Sequence, residues 1–144
     1  TPTATTTPTF PTSTLKPTPT TISSPTPTAF LQELEVHFID VGQGDSILVD
    51  LGETEVLIDG GDRLPGVVSY LSGYVDGDIE VMVATHPHAD HIGGLIAVLD
   101  TFTVDEIWLN GDTSTSATYK DFMERIERRI ATGATNGSGL ETAR

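Results

Sequence analysis

The stretch Thr85-His86-Pro87-His88-Ala89-Asp90-His91-Ile92-Gly93-Gly94 decides how the rest of the chain is read. Three of the four histidines in the 144 residues lie in it, with a carboxylate between the second and third of these. The apolar run Ile79 to Ala84 precedes it and reads as a buried strand. The apolar run Ile92 to Leu99 follows it and reads as a helix. Neutral imidazole and carboxylate suit zinc and related divalent ions. Four such groups at a strand-to-helix junction point to a metal loop rather than to a surface loop with incidental histidines. In extended backbone, residues two apart point to the same side, so His86 and His88 are expected to converge on one ion. After the turn, Asp90 and His91 are expected to face a second ion about 3.5–4 Å away, with a hydroxide shared between the two. Pro87 stiffens the loop.

Working outward, Leu34, Val36, Phe38 and Val41 mark a strand with Glu35 and His37 on its other face. Gly42-Gln43-Gly44-Asp45 is a tight connection to a second strand, Ser46 to Leu51. A turn at Gly52-Glu53 leads to a third, Thr54 to Ile58, which Asp59-Gly60-Gly61 ends. Leu64 to Tyr70 reads as a helix with Pro65 in its first turn. The fourth strand is Ile79 to Thr85 and the fifth is Glu106 to Leu109. Ala117 to Ile130 carries Phe122, Met123, Ile126 and Ile130 at helical spacing. Hairpin strands followed by strand–helix alternation predict an α/β layered fold with functional loops along a sheet edge.

Three motifs, Phe38 to Leu48, Val56 to Gly61 and Thr85 to Gly94, occur in order. Together they resemble the metallo-β-lactamase superfamily, and within it the competence-protein ComEC branch. The resemblance runs from about Leu34 to Phe122 and implies an αββα sandwich, of which this chain would supply the N-terminal half. It also implies two divalent ions at the sheet edge, zinc first and manganese compatible. His86 and His88 would belong to one ion, and Asp90 and His91 to the other. Asp90 would also orient the attacking water. Asp59 would support the metal loop from behind, and Asp45 the metal surroundings; for both, a turn-forming aspartate is the alternative. Asp40 is weaker, and His37 reads as a packed or surface histidine. The superfamily supplies further ligands downstream, a His, an Asp and a His, yet no histidine follows His91. Asp112 is the best remaining acid. The chain is therefore expected to be truncated, and inactive alone if those ligands are missing.

Composition narrows the setting. Residues 1–30 hold thirteen Thr and seven Pro and no acid, and read as an extended, disordered linker. Thr/Pro stalks of this kind are common on exported proteins, so an extracellular or cell-surface location is expected. Residues 31–130 form the metallo-β-lactamase-like domain, and 131–144, without periodicity, a flexible tail. All 21 acidic residues and six of the seven basic ones follow Phe30. That balance opposes general polyanion binding, which relies on Lys and Arg. The stripe Lys120, Arg125, Arg128 and Arg129 reads as a solvated helix face. The absence of cysteine excludes thiolate sites and disulfides. No apolar run reaches the ~20 residues that span a bilayer.

The function these features imply is a metal-dependent hydrolase, with metal-activated water attacking a small-molecule or nucleic-acid phosphodiester, or a related ester. A DNA-related role would follow the competence proteins. The competing reading is a non-catalytic extracellular module with an incomplete metal site. A chain that stops at Arg144 would leave an apolar sheet face open and is expected to dimerise or dissolve poorly.

Overall fold

The computed structural model describes residues 33–64 and 66–132, and the main chain of 140–142. The expected stalk at 1–30 and Pro65 lie outside these residues. Six strands form one sheet in sequential order: β1 (Glu35–Phe38), β2 (Ile47–Asp50), β3 (Glu55–Ile58), β4 (Ile79–Ala84), β5 (Val104–Leu109) and β6 (Leu140–Thr142). The first three pair antiparallel as a meander, and β3 to β6 pair parallel. Three helices make the crossovers: α1 (Val68–Leu71), α2 (Ala89–Thr101) and α3 (Ala117–Thr132). Right-handed crossovers taken in one direction along a sheet place all three helices on the same face. The result is a mixed α/β fold with one sheet and one helical layer.

Strand register explains the layering. His37, Leu48, Leu57, Met82 and Ile107 stand opposite one another across five strands. The four apolar members of that row are buried. They pack with Leu71, Ile92, Leu95, Val98, Leu99, Phe122 and Ile126 from the helices. Each such side chain contributes about 1.5–3 kcal/mol through burial. The opposite sheet face carries the rows Val36–Val49–Val56–Val81 and Phe38–Ile47–Ile58–Val83–Trp108. These are half-buried or exposed, with Phe38 80% and Trp108 43% accessible.

Several element boundaries differ from the sequence reading. The helix read from Leu64 begins only at Val68 and makes one turn, because Gly66 adopts φ 87° just before it. Helix α2 begins at Ala89, so Asp90 and His91 lie in its first turn rather than in the loop. Asp90 is favourable there, facing the positive end of the helix dipole. Helix α3 runs on to Thr132, and Leu140–Thr142 pairs parallel with β5, within the segment read as a flexible tail. A three-residue edge strand is too short to leave a periodic signal.

Candidate metal centre

The candidate site forms where three loops meet at one end of the sheet, and glycines bring them together. A Cβ at Gly94 would lie 2.0 Å from the Gly60 carbonyl oxygen, and one at Gly60 would lie 2.7 Å from the Leu95 nitrogen. Helix α2 therefore rests directly on the main chain that leaves β3. Two hydrogen bonds close this contact: the Gly60 amide to the His91 carbonyl, 2.8 Å, and the Gly94 amide to the Gly61 carbonyl, 3.0 Å. Gly61 in turn donates to the Asp45 carbonyl at 2.9 Å, tying in the loop between β1 and β2.

Asp59 stands at the centre of this junction. It is 2% accessible and adopts φ 57°, a conformation that costs a non-glycine residue energy and that Asp tolerates better than most. Its Oδ1 accepts the Thr85 amide at 2.8 Å. Its Oδ2 accepts the Thr85 hydroxyl at 2.5 Å and lies 2.8 Å from His91 Nδ1. The Thr85 hydroxyl also lies 3.0 Å from His86 Nδ1.

These contacts dictate the histidine tautomers. An ionised carboxylate only accepts, so His91 Nδ1 must carry the hydrogen. The single Thr85 hydroxyl hydrogen goes to Asp59, so toward His86 that oxygen accepts, and His86 Nδ1 must also carry its hydrogen. In its neutral form each ring then keeps its lone pair on Nε2. The His86 and His91 rings sit with centroids 3.8 Å apart, and ligand atoms of Asp59, His86 and His91 all lie within 4.8 Å of one another. Two imidazoles engaged through Nδ1 beside a buried carboxylate are a donor set that fits a divalent ion.

Among the described residues, the other candidates singled out from sequence fall outside this ligand group. His88 caps the start of α2 with extended backbone, and its ring meets that of His86 edge-on at 4.6 Å. The His86 ring is nearest that of His91, at 3.8 Å between centroids, with His88 next at 4.6 Å. The early helix start is the reason, since one helical turn carries His91 back over His86. Asp90 is half-buried and accepts from Gln43 Nε2 at 3.1 Å. That bond, followed by the residue's own amide, holds its carboxyl below the usual range. Asp45 meets the junction through its main-chain carbonyl. The Asp40 carboxylate accepts the Gly42 amide at 3.1 Å, a local turn bond. His37 is packed against Tyr70 and Tyr74 and bonds the Tyr70 hydroxyl at 2.9 Å. Asp112 forms a turn with Asn110 on the rim of a small cleft beside His86, lined by Ala84, Ile92 and Leu109. Thr85 and Gln43 are the two site residues that sequence reasoning did not single out. Thr85 preceded the histidines as an ordinary strand residue, and Gln43 lay in a motif read for its glycines.

The sequence matches the metallo-beta-lactamase superfamily model over residues 39–127, more than half of the chain. The chain belongs to the metallo-β-lactamase superfamily. No curated protein matches its sequence. Among solved structures, it is similar to the metallo-β-lactamase SMB-1 bound to 2-mercaptoethanesulfonate, with 21% identity, a TM-score of 0.45, and coverage of 51% of this chain and 29% of that one. It is also similar to a metallo-β-lactamase from Pontibacter korlensis, with 19% identity, a TM-score of 0.43, and coverage of 78% and 54%. A third, from Hirschia baltica, has 18% identity, a TM-score of 0.38, and coverage of 76% and 50%. The chain thus spans between under a third and about half of the length of these relatives. As a superfamily member, it carries a hydrolase fold and a candidate ligand group of the kind that the superfamily uses for divalent metals.

Proposed function

We propose that this protein is a metal-dependent hydrolase acting on a phosphodiester or related ester, and that His86, His88, Asp90 and His91 hold its metal. The observation that carries the reading is the tautomer lock. Asp59 Oδ2 lies 2.8 Å from His91 Nδ1 and the Thr85 hydroxyl 3.0 Å from His86 Nδ1, contacts that use Nδ1 of each ring and leave Nε2 for a metal. A packed core histidine has no need of a partner fixed in the same way. In this reading His86 and His88 serve one ion, and Asp90 and His91 serve a second, zinc in the first instance and manganese as the alternative. Divalent ions supply Lewis acidity and lower the pKa of water when bound. The chain's own residues do the rest. Asp59 and Thr85 orient imidazoles, Asp90 accepts a hydrogen bond from the attacking water, and Asp45 braces the junction through its carbonyl. The positive end of α2 offsets negative charge on a phosphoryl group.

The three motifs resemble the stand-alone ComEC-like branch, which supports a phosphodiester substrate and leaves DNA as one member of that class. The acidic balance of the domain favours a small phosphodiester over a long polyanion. The Thr/Pro-rich segment supports an exported, cell-surface setting. A second reading is a non-catalytic extracellular module, for which the ligand group of Asp59, His86 and His91 alone would hold an ion.

The deciding experiment is metal content by mass spectrometry on the purified chain beside His86→Ala and His91→Ala, followed by hydrolysis of bis(p-nitrophenyl) phosphate. At least one equivalent of metal, lost in both variants, supports the metal reading, and metal-dependent phosphodiester cleavage supports the hydrolase. Metal without cleavage favours the binding module. A metal-free wild type refutes the metal centre.

A further inference from the structure

We infer that Gln43 is a positioning residue for Asp90. Its side-chain amide fixes one carboxylate oxygen, so that the other is presented to a divalent ion in a single orientation. This rests on the metal-centre reading above and adds a residue to it.

The observation is a hydrogen bond between parts of the chain far apart in sequence, Gln43 Nε2 to Asp90 Oδ2 at 3.1 Å. It is the one bond between Asp90 and another side chain among the described residues. The main chain around Gln43 is fixed in a way that aims the amide. Gly42 and Gly44 adopt φ 79° and 87°, which turn the loop sharply on each side of Gln43. The Gln43 carbonyl accepts the Asp62 amide at 3.3 Å. A Cβ at Gly44 would fall 1.6 Å from the Asp90 carbonyl oxygen, so the loop lies flat against the first turn of α2 only because residue 44 is glycine. A main chain held there starts the glutamine side chain within reach of Asp90. Gln43 itself is exposed, so packing does not account for it. An unheld aspartate side chain samples several staggered rotamers. A carboxylate with Oδ2 held by an N–H donor offers Oδ1 from one position. Partners that fix a ligand in this way are typically worth about 10–100-fold in metal affinity.

Alternatives to glutamine fail for stated reasons. Asparagine is one methylene short of the same reach. Glutamate sets a second negative charge against Asp90 and has no donor when ionised. Methionine keeps the length and loses only the hydrogen bond.

The test is titration of the full chain with zinc by calorimetry and with cobalt(II) by visible absorption, for wild type, Gln43→Met, Asp90→Ala and the double variant. Metal-free melting temperatures are measured in parallel. Gln43→Met should lose about tenfold or more in affinity, shift the cobalt spectrum, and keep the metal-free melting temperature. In the Asp90→Ala background the same change should have no further effect. Equal affinity and an equal cobalt spectrum in wild type and Gln43→Met would overturn the inference and leave the metal centre standing. So would additive effects of the two substitutions, or a metal-free melting temperature that falls with the affinity, which would make Gln43 structural. A wild type that binds neither ion would overturn both.

Discussion

At the scale of single residues, the site is a matter of where hydrogens sit. Asp59 accepts from Thr85 and from His91 Nδ1, and its φ of 57° is tolerated by Asn as well as Asp. Asp59→Asn therefore keeps the backbone and changes the chemistry. An amide N–H facing His91 Nδ1 favours the tautomer with hydrogen on Nε2, the atom needed for a metal. We expect zinc affinity to fall about 10–100-fold while the melting temperature changes little. Nitrogen-15 chemical shifts of His91 would report the tautomer directly, and unchanged shifts in Asp59→Asn would defeat the lock. The histidine cluster was legible in sequence because ligand types and spacing are chemical facts that need no fold. Thr85 and Gln43 were not, because a hydroxyl and an amide have no signature until a partner from a distant segment is placed beside them. The pairing of His86 with His91 depended on where α2 starts, and helix starts are the least legible feature of a sequence.

At the scale of elements, the decisive contacts are main chain against main chain. Gly94 lies where a Cβ would sit 2.0 Å from the Gly60 carbonyl, and neither partner is a flexible side-chain tip. Gly94→Ala must separate α2 from the end of β3. We expect a loss of about 1–3 kcal/mol or more, read as a lower urea midpoint, together with weaker metal binding. An unchanged midpoint would show that the helix is not seated as described. The opposite end of the same strand gives a pH dependence. Glu55 is 3% accessible, its amide donates to Glu80 at 2.6 Å, and burial, then the Glu80 carboxyl, pushes its own carboxyl up to about 7. A pKa raised in the folded state means that folding favours the protonated form. The associated stability is present below the ordinary value near 4.5, is lost as pH rises toward 7, and stays lost above. Glu55→Gln should therefore raise the melting temperature at pH 8 by several degrees and change it little at pH 4. A shift of equal size at both pH values would argue against a buried, protonated Glu55. The sequence pattern marked the strands and, by alternation, the two faces of β1. It could not show that Glu35, Asp50 and Glu55 stand in one row across β1, β2 and β3, since that depends on register.

At the scale of the whole molecule, the sheet has, among the described residues, one finished face and one open one. The helix-facing row ends in buried Leu48, Leu57, Met82 and Ile107, whereas the other face presents Phe38, Ile47, Ile58, Val83 and Trp108 in a continuous line across five strands. Strands solvated on one side alternate apolar with polar residues, but β2 (Ile47-Leu48-Val49) and β3 (Val56-Leu57-Ile58) are apolar on both. Such strands are built to be covered on two sides, and contiguous apolar surface of this kind drives association. Phe38 is the most informative probe because it is 80% accessible, supports no core contact, and heads the line. We expect the chain to sediment above its monomer mass at micromolar concentration and to bind an apolar fluorescent dye. Phe38→Lys should reduce both while leaving the melting temperature nearly unchanged, since an exposed substitution away from special features costs within about 0.5 kcal/mol. A monomeric wild type with no dye binding would mean that this face is shielded in solution. A variant that still associates would move the contact from the open face to β1, the edge strand among the described residues, whose outer N–H and C=O groups are the other ready template for pairing.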